Sequence, residues 1–246
     1  LGPEHYLAMV EKAKKALTLP VIASLNCVTD KWWGNFAGQL EKSGADALEL
    51  NIALMPRDPR ETAGEVEKKL IDIVGKVKTE VTIPVAVKIG PYFSNLLRFS
   101  TELWKAGASA LVLFNRFYQL DIDIDKMTLA PGYQFSSPIE MHNALRWVSI
   151  LSGQIGCDIA ANTGIHDGKG VIKQLLAGAA AVQVCSALYV RGVETITAIN
   201  DEINSWMDGK GFKTVQDFQG RLAQAVSDKP EAYERIQYIK ALTGVG

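Results

Sequence analysis

Two kinds of apolar run alternate along the chain. One follows a proline, as in LPVIASLN (19–26) and IPVAVKIG (83–90). The other follows a small-residue turn, as in KSGADALELN (42–51), KAGASALVLFN (105–115) and LAGAAAVQVCS (176–186). CDIAANTG (157–164) is a further run of the same length class. Short apolar runs rich in β-branched residues and bounded by Pro or Gly read as parallel strands covered on both faces. Helical spacing fills the gaps. Val66, Leu70, Ile73, Val74 and Val77 recur on one face in 65–79, as do Val171, Ile172, Leu175 and Leu176 in 168–177. The small-residue turn repeats as Gly-Ala-x-Ala at Gly44, Gly107 and Gly178. Glycine there suits the left-handed residue that ends a helix.

Strand–helix alternation of this kind predicts an α/β fold with about six parallel strands and covering helices. A Rossmann sheet and a TIM (β/α)8 barrel both fit it. No GxGxxG opens a helix, which weakens the dinucleotide reading. The polar ends of the strands favour the barrel. A full barrel has eight strands, so about two are expected to be missing from the start. The chain opens with Leu1, not Met, and is read as lacking its true beginning. Residues 1–246 read as one domain, with ERIQYIKAL (234–242) as an amphipathic tail helix.

Charge and composition narrow the partners. The formal net charge is -1, so no strong field draws nucleic acid or an acidic membrane surface. No apolar run approaches the roughly 20 residues of a membrane span, and no signal peptide is visible. The three cysteines, Cys27, Cys157 and Cys185, are widely spaced and form no zinc or iron–sulfur pattern. Sparse, odd-numbered cysteine suits a reducing cytoplasm.

The strand ends carry the candidate chemistry, because barrel active sites lie at the C-terminal ends of strands. Those ends read Ser24 and Asn26, Asn51, Lys88, Asn115, Asn162 with Thr163 and Gly164, and Cys185 with Ser186. Lysine is almost never fully buried without a partner, so Lys88 in VAVKIG calls for a negative or electron-rich group opposite it. Turns after the last two barrel strands commonly hold phosphate through backbone N–H groups. ANTGIHDG and VCSALY stand in those places. Each residue also has a plain structural reading. Lys88 can be a solvated rim residue, a strand-end Asn a cap, and Thr163-Gly164 a tight turn. His166 and Asp167 read as helix-start residues, His142 as structural, and Trp32, Trp33 and Trp104 as packing. The co-occurrence of polar residues at nearly every strand end favours chemistry.

PVIASLN, GADALELNI, IPVAVKIGPYFSN, ASALVLFNRFY, TGIHDGKGVIKQLLAGAAAVQVCSALY and GFKTVQDFQGRL, in that order and spacing, resemble the flavin-binding barrel of the dihydroorotate dehydrogenase family. The resemblance covers nearly the whole chain. It implies that FMN lies across the barrel mouth, with Lys88 at the pyrimidine edge of the flavin as the partner that lysine calls for. It further implies that Asn51 and Asn115 hold the flavin or the substrate ring. Lys88, Asn51 and Asn115 are thus the expected catalytic residues. Ser24, Asn51, Lys88, Ser137, Thr163, Gly164, Cys185 and Ser186 are the expected cofactor contacts. Ser136 and Ser137 stand where the family more often has glycine.

One departure bears on the reaction. The family's loop after the strand ending at Asn51 reads Asn-x-x-Cys-Pro-Asn, or Ser for Cys, and that Cys or Ser takes a proton from the substrate. This chain reads NIALMPRD. Counted from Asn51 the base position is Leu54; counted from the proline it is Met55. Neither accepts a proton. Asp58, Arg57 and Cys27 are the nearby groups left for the role, and the sequence selects none of them. The expected function is an FMN-dependent oxidoreductase of dihydroorotate or a related ring, in pyrimidine biosynthesis. A phosphate-binding barrel lyase, isomerase or aldolase, and a flavin-binding homologue without dehydrogenase activity, stay open beside it. A homodimer is expected from the resemblance alone.

Overall fold

The computed structural model describes residues 2–26, 32–116, 119–132 and 134–234. Cys27 and the tail helix expected beyond Glu234 lie outside them. The chain forms two compact units: residues up to Asn115 with Ile155–Asp158, and Arg116–Gln154 with residues from Ile159 onward.

In the first unit helices and strands alternate: α1 (Pro3–Ala16), β1 (Ile22–Leu25), α2 (Trp33–Lys42), β2 (Ala47–Asn51), α3 (Ala63–Glu80), β3 (Val85–Ile89), α4 (Leu96–Lys105) and β4 (Ala110–Leu113). The four strands pair in parallel in chain order. This is the β/α alternation of a partial TIM barrel. Two of these helices begin where side chains supply caps. Thr62 and Glu65 form a capping box on α3, and the Asn95 side chain accepts from Arg98 N–H on α4, each satisfying a backbone donor that the first helical turn leaves over. The helices end as the repeats predict: Gly44, Gly107 and Gly178 have φ of 90, 109 and 110°, a region in which other residues are strained.

Period-2 alternation sorts the strand side chains. Val85, Val87 and Ile89 of β3 and Leu48 and Leu50 of β2 are fully buried. Their neighbours Ala86 and Lys88, and Glu49 and Asn51, point to the opposite face of the strands. Register sets Ser24 beside Glu49, Glu49 beside Ala86, and Asn51 beside Lys88. Trp33 is buried, as a packing residue is; Trp104 lies over Gly156 but is exposed, as is Trp32.

The second unit holds β5 (Gln119–Asp123) and β6 (Thr128–Gly132), α5 (Met141–Leu151), β7 (Asp158–Ala161), α6 (Gly168–Ala177), β8 (Ala181–Val182), α7 (Ser186–Arg191) and α8 (Thr195–Lys210). β7 and β8 pair in parallel, and β8 is far shorter than the run that predicts it. β5 and β6 form an antiparallel hairpin that the run-by-run reading passes over. Leu120, Ile122 and Leu129 are more than half exposed on it, so it lacks the buried face by which strands were recognised. Asp167 caps α6 by accepting from Gly170 N–H. The core here includes Phe218, fully buried between the rings of Trp206 and Phe212. Among the described residues no helix is long and apolar enough to cross a membrane.

Candidate functional site

The strand face of the first unit gathers its polar residues into one group. Lys88 Nζ lies 2.7 Å from Glu49 Oε1, with side chains 16% and 6% exposed. Ser24 Oγ donates to the same carboxylate oxygen at 3.0 Å. Tyr6, on α1, donates its hydroxyl to the Ser24 carbonyl at 2.8 Å. Burial pushes the Tyr6 phenol above its ordinary range, and the nearby Glu49 charge adds to that. The structure thus sets Glu49 against Lys88, a partner that the sequence analysis does not name. The signal was present in LELN: a carboxylate inside an otherwise apolar strand, on the same face as Lys88.

Among the described residues none donates a hydrogen bond to the buried Asn51 Oδ1. A buried acceptor without a donor costs about 1–3 kcal/mol, so this atom calls for an N–H donor. Asn115 follows β4, half-buried, with its backbone N–H donating to the Ile89 carbonyl at 2.8 Å.

The loop after β2 carries no proton acceptor at either base position. Leu54 is half-buried and lines a cavity of about 180 Å³ with Pro56, Val66, Tyr92 and Phe93. Met55 is 67% exposed. Asp58 is bound by Arg60 at 2.7 Å, and that guanidinium holds its carboxyl below the usual carboxylate range. It is a poor base where it stands.

In the second unit a left-handed turn organises the other group. Thr163 and Gly164, just past β7, have φ of 76 and 75°. A side chain on Gly164 would sit 2.4 Å from the Met141 backbone N and 2.9 Å from the Ser137 carbonyl. Ser136 N–H donates to Ser186 Oγ at 3.1 Å, and Ser136 Oγ lies 3.2 Å from His166 Nε2. Ser136, Ser186 and His166 are thus brought together. His166, read from the sequence as a helix-start residue, belongs to this group; nothing local in the sequence links it to a serine thirty positions earlier. Ser137 turns the other way. Its N–H donates to Glu140 Oε1 at 2.6 Å, and Arg116 Nε donates to the same carboxylate at 2.7 Å. Burial works to raise the Glu140 carboxyl, but the hydrogen bonds from Arg116 and Ser137 outweigh it and hold it below the usual range. Cys185 is exposed and free just before α7, and Ser186 is the first residue of that helix.

The polar groups of the first unit suit a ring such as that of FMN. The first unit offers a buried ion pair and an unmet acceptor of the kind a heterocyclic ring N–H satisfies. The second unit holds hydroxyls and an imidazole in contact, beside a Gly164 turn that packs closely on the Met141 and Ser137 backbone. Among the described residues no cluster of His, Cys, Asp and Glu could hold a metal ion.

Comparison with known proteins follows the same direction. A family model described as dihydroorotate dehydrogenase matches residues 1–207. The catalytic subunit of dihydroorotate dehydrogenase B (NAD(+)) from Thermoplasma acidophilum is 27% identical over 221 residues, covering 89% of this chain and 73% of that protein. A putative dihydroorotate dehydrogenase A (fumarate) from Aeropyrum pernix is 29% identical over 220 residues, covering 86% and 70%. The chloroplastic dihydropyrimidine dehydrogenase (NADP(+)) of Arabidopsis thaliana is 22% identical over 222 residues, covering 82% and 52%.

Proposed function

The chain belongs to the dihydroorotate dehydrogenase family of oxidoreductases acting on CH–CH bonds, and we propose that it is an FMN-dependent member acting on dihydroorotate or a related planar ring. The observation that carries the cofactor reading is Asn51 Oδ1, buried without a donor beside the register position of Lys88. Bound FMN supplies the hydride acceptor. Lys88, backed by Glu49, faces the pyrimidine edge of the flavin, and Ser24 steadies Glu49. Asn51 and Asn115 orient the flavin or the substrate ring. Thr163, Gly164, Cys185 and Ser186 hold the phosphate end, with Ser136 and Ser137 flanking it. With Leu54 and Met55 at the base positions, dihydroorotate itself is a slow substrate, since a positioned base contributes typically 10²–10⁴-fold. The sparse cysteines, with Cys157 and Cys185 free, fit a cytoplasmic enzyme.

The test is the visible spectrum of the purified, reconstituted protein, followed by heat release of the cofactor. Flavin bands and recovery of FMN support the reading. FAD, or a colourless protein after reconstitution, refutes it. Slow anaerobic bleaching by dihydroorotate separates an enzyme from a flavin carrier.

A further inference from the structure

The Lys88–Glu49 contact has a consequence for whatever binds beside it. We infer that Glu49 is the counter-charge of Lys88, so that a ligand at this strand face meets a neutral pair and not a free cation. Three observations carry it. The two side chains meet at 2.7 Å with 16% and 6% exposure, so little water screens either charge. Ser24 Oγ binds the very oxygen that Lys88 binds, at 3.0 Å, and fixes it from the neighbouring strand. Both residues leave their strands on the face opposite the apolar core, in a register that backbone pairing sets. By contrast the Lys68–Asp72 pair on α3 is 71% and 50% exposed, where water screens each charge separately.

The inference deepens the FMN reading and, in its flavin arm, rests on it. Reduction places negative charge near the pyrimidine edge of the flavin. Lys88→Met takes the ammonium away from a buried carboxylate there and opposes reduction. Glu49→Gln keeps the shape and leaves the ammonium uncompensated, which favours reduction. The two substitutions move the flavin midpoint potential in opposite directions, and the double variant returns it close to the parent. A unit charge within about 10 Å, at an effective dielectric of about 20, changes such an equilibrium by roughly tenfold or more. For a two-electron couple tenfold is ~30 mV. Glu49 thereby acts through Lys88 as a positioning residue that sets the potential.

Two measurements decide it. The first uses the apo-protein and no cofactor: urea midpoints of the parent, Glu49→Gln, Lys88→Met, the double variant and Lys68→Ala. Each buried single change lowers the midpoint well below that of Lys68→Ala, and the double variant regains most of the loss, because one buried charge without its partner costs more than neither. Additive losses overturn the inference. The second is an equilibrium dye titration of the FMN-loaded forms. Shifts of opposite sign with recovery in the double variant support it; shifts of the same sign, or none in Glu49→Gln, overturn it. If Glu49→Gln does not fold, Glu49→Asp replaces it: that variant keeps the charge and the parent potential, and a potential that follows Lys88→Met counts against the pair. If the parent takes up no FMN, the cofactor reading fails, and the urea cycle alone decides whether Glu49 and Lys88 act as one unit.

Discussion

Gly164→Ala is the sharpest perturbation of the second unit's polar group. Gly164 has φ 75°, and holding an L-residue there costs roughly 1–2 kcal/mol. A new Cβ would lie 2.4 Å from Met141 N, 2.9 Å from the Glu140 carbonyl carbon and 2.9 Å from the Ser137 carbonyl oxygen. All three are backbone atoms, so no side-chain rotation relieves the clash and the segment must move. Overpacking of this kind typically costs about 1–3 kcal/mol. Together the two terms come to roughly 2–5 kcal/mol, a large part of the ~5–15 kcal/mol that holds a typical domain folded. For a chain of this size that corresponds to a fall in Tm of roughly 4–20 °C, at about 2–4 °C per kcal/mol. The segment that moves carries Ser136 and Ser137, so FMN affinity should fall by at least tenfold while the Lys88–Glu49 contact is unaffected. Gly75→Ala is the control. Gly75 lies inside α3 with no atom within 4 Å of the position its Cβ would take, and the change should stabilise by roughly 0.5–1 kcal/mol. Urea unfolding and fluorescence titration with FMN measure both effects. A Gly164→Ala protein with the parent's midpoint and FMN affinity would refute the reasoning.

The base loop gives an asymmetric prediction: Leu54→Cys should speed flavin reduction by dihydroorotate by up to about 10²–10⁴-fold, whereas Met55→Cys should gain little, since Met55 points to solvent and Leu54 lines the adjoining cavity; anaerobic stopped-flow of both variants decides it, and equal gains would sink the assignment. Burial, with the Asp158 charge as the lesser cause, pushes the Cys157 thiol up to about 11 from 9.0. The folded state thus binds this proton more tightly than the unfolded one, so the contribution is complete below pH 9 and is lost as pH rises towards 11; Cys157→Ser should flatten that alkaline decline in urea midpoint. Thr62→Ala removes the acceptor for Glu65 N–H and half of the α3 capping box, and should cost about 1 kcal/mol by chemical denaturation; no loss would mean that α3 is held by its packed face alone.

What the sequence determined by itself was what depends on near neighbours along the chain. The apolar runs became β1 to β4 and β7 because short apolar runs bounded by Pro or Gly suit strands covered on both faces. The repeats at Gly44, Gly107 and Gly178 ended helices because each needs one left-handed residue, a condition local to a few positions. Asp167 and Thr62 were fixed as caps by their own first turns. The polar strand ends were legible as residues, but their partners were not. Lys88 and Glu49 are separated by the whole of α3 and meet only because β2 and β3 pair in one particular register; a slip of one residue would put them on opposite faces. Ser136, His166 and Ser186 come from three separate segments, and their meeting depends on how α5, α6 and α7 are packed. The unmet acceptor of Asn51 is likewise a property of the fold, because only burial removes the water that would otherwise satisfy it. Local periodicity, capping and turn chemistry are short-range terms that a linear sequence displays directly. Which charge neutralises which, and which polar atom is left without a partner, are set by strand register and desolvation, and those exist only once the chain has folded.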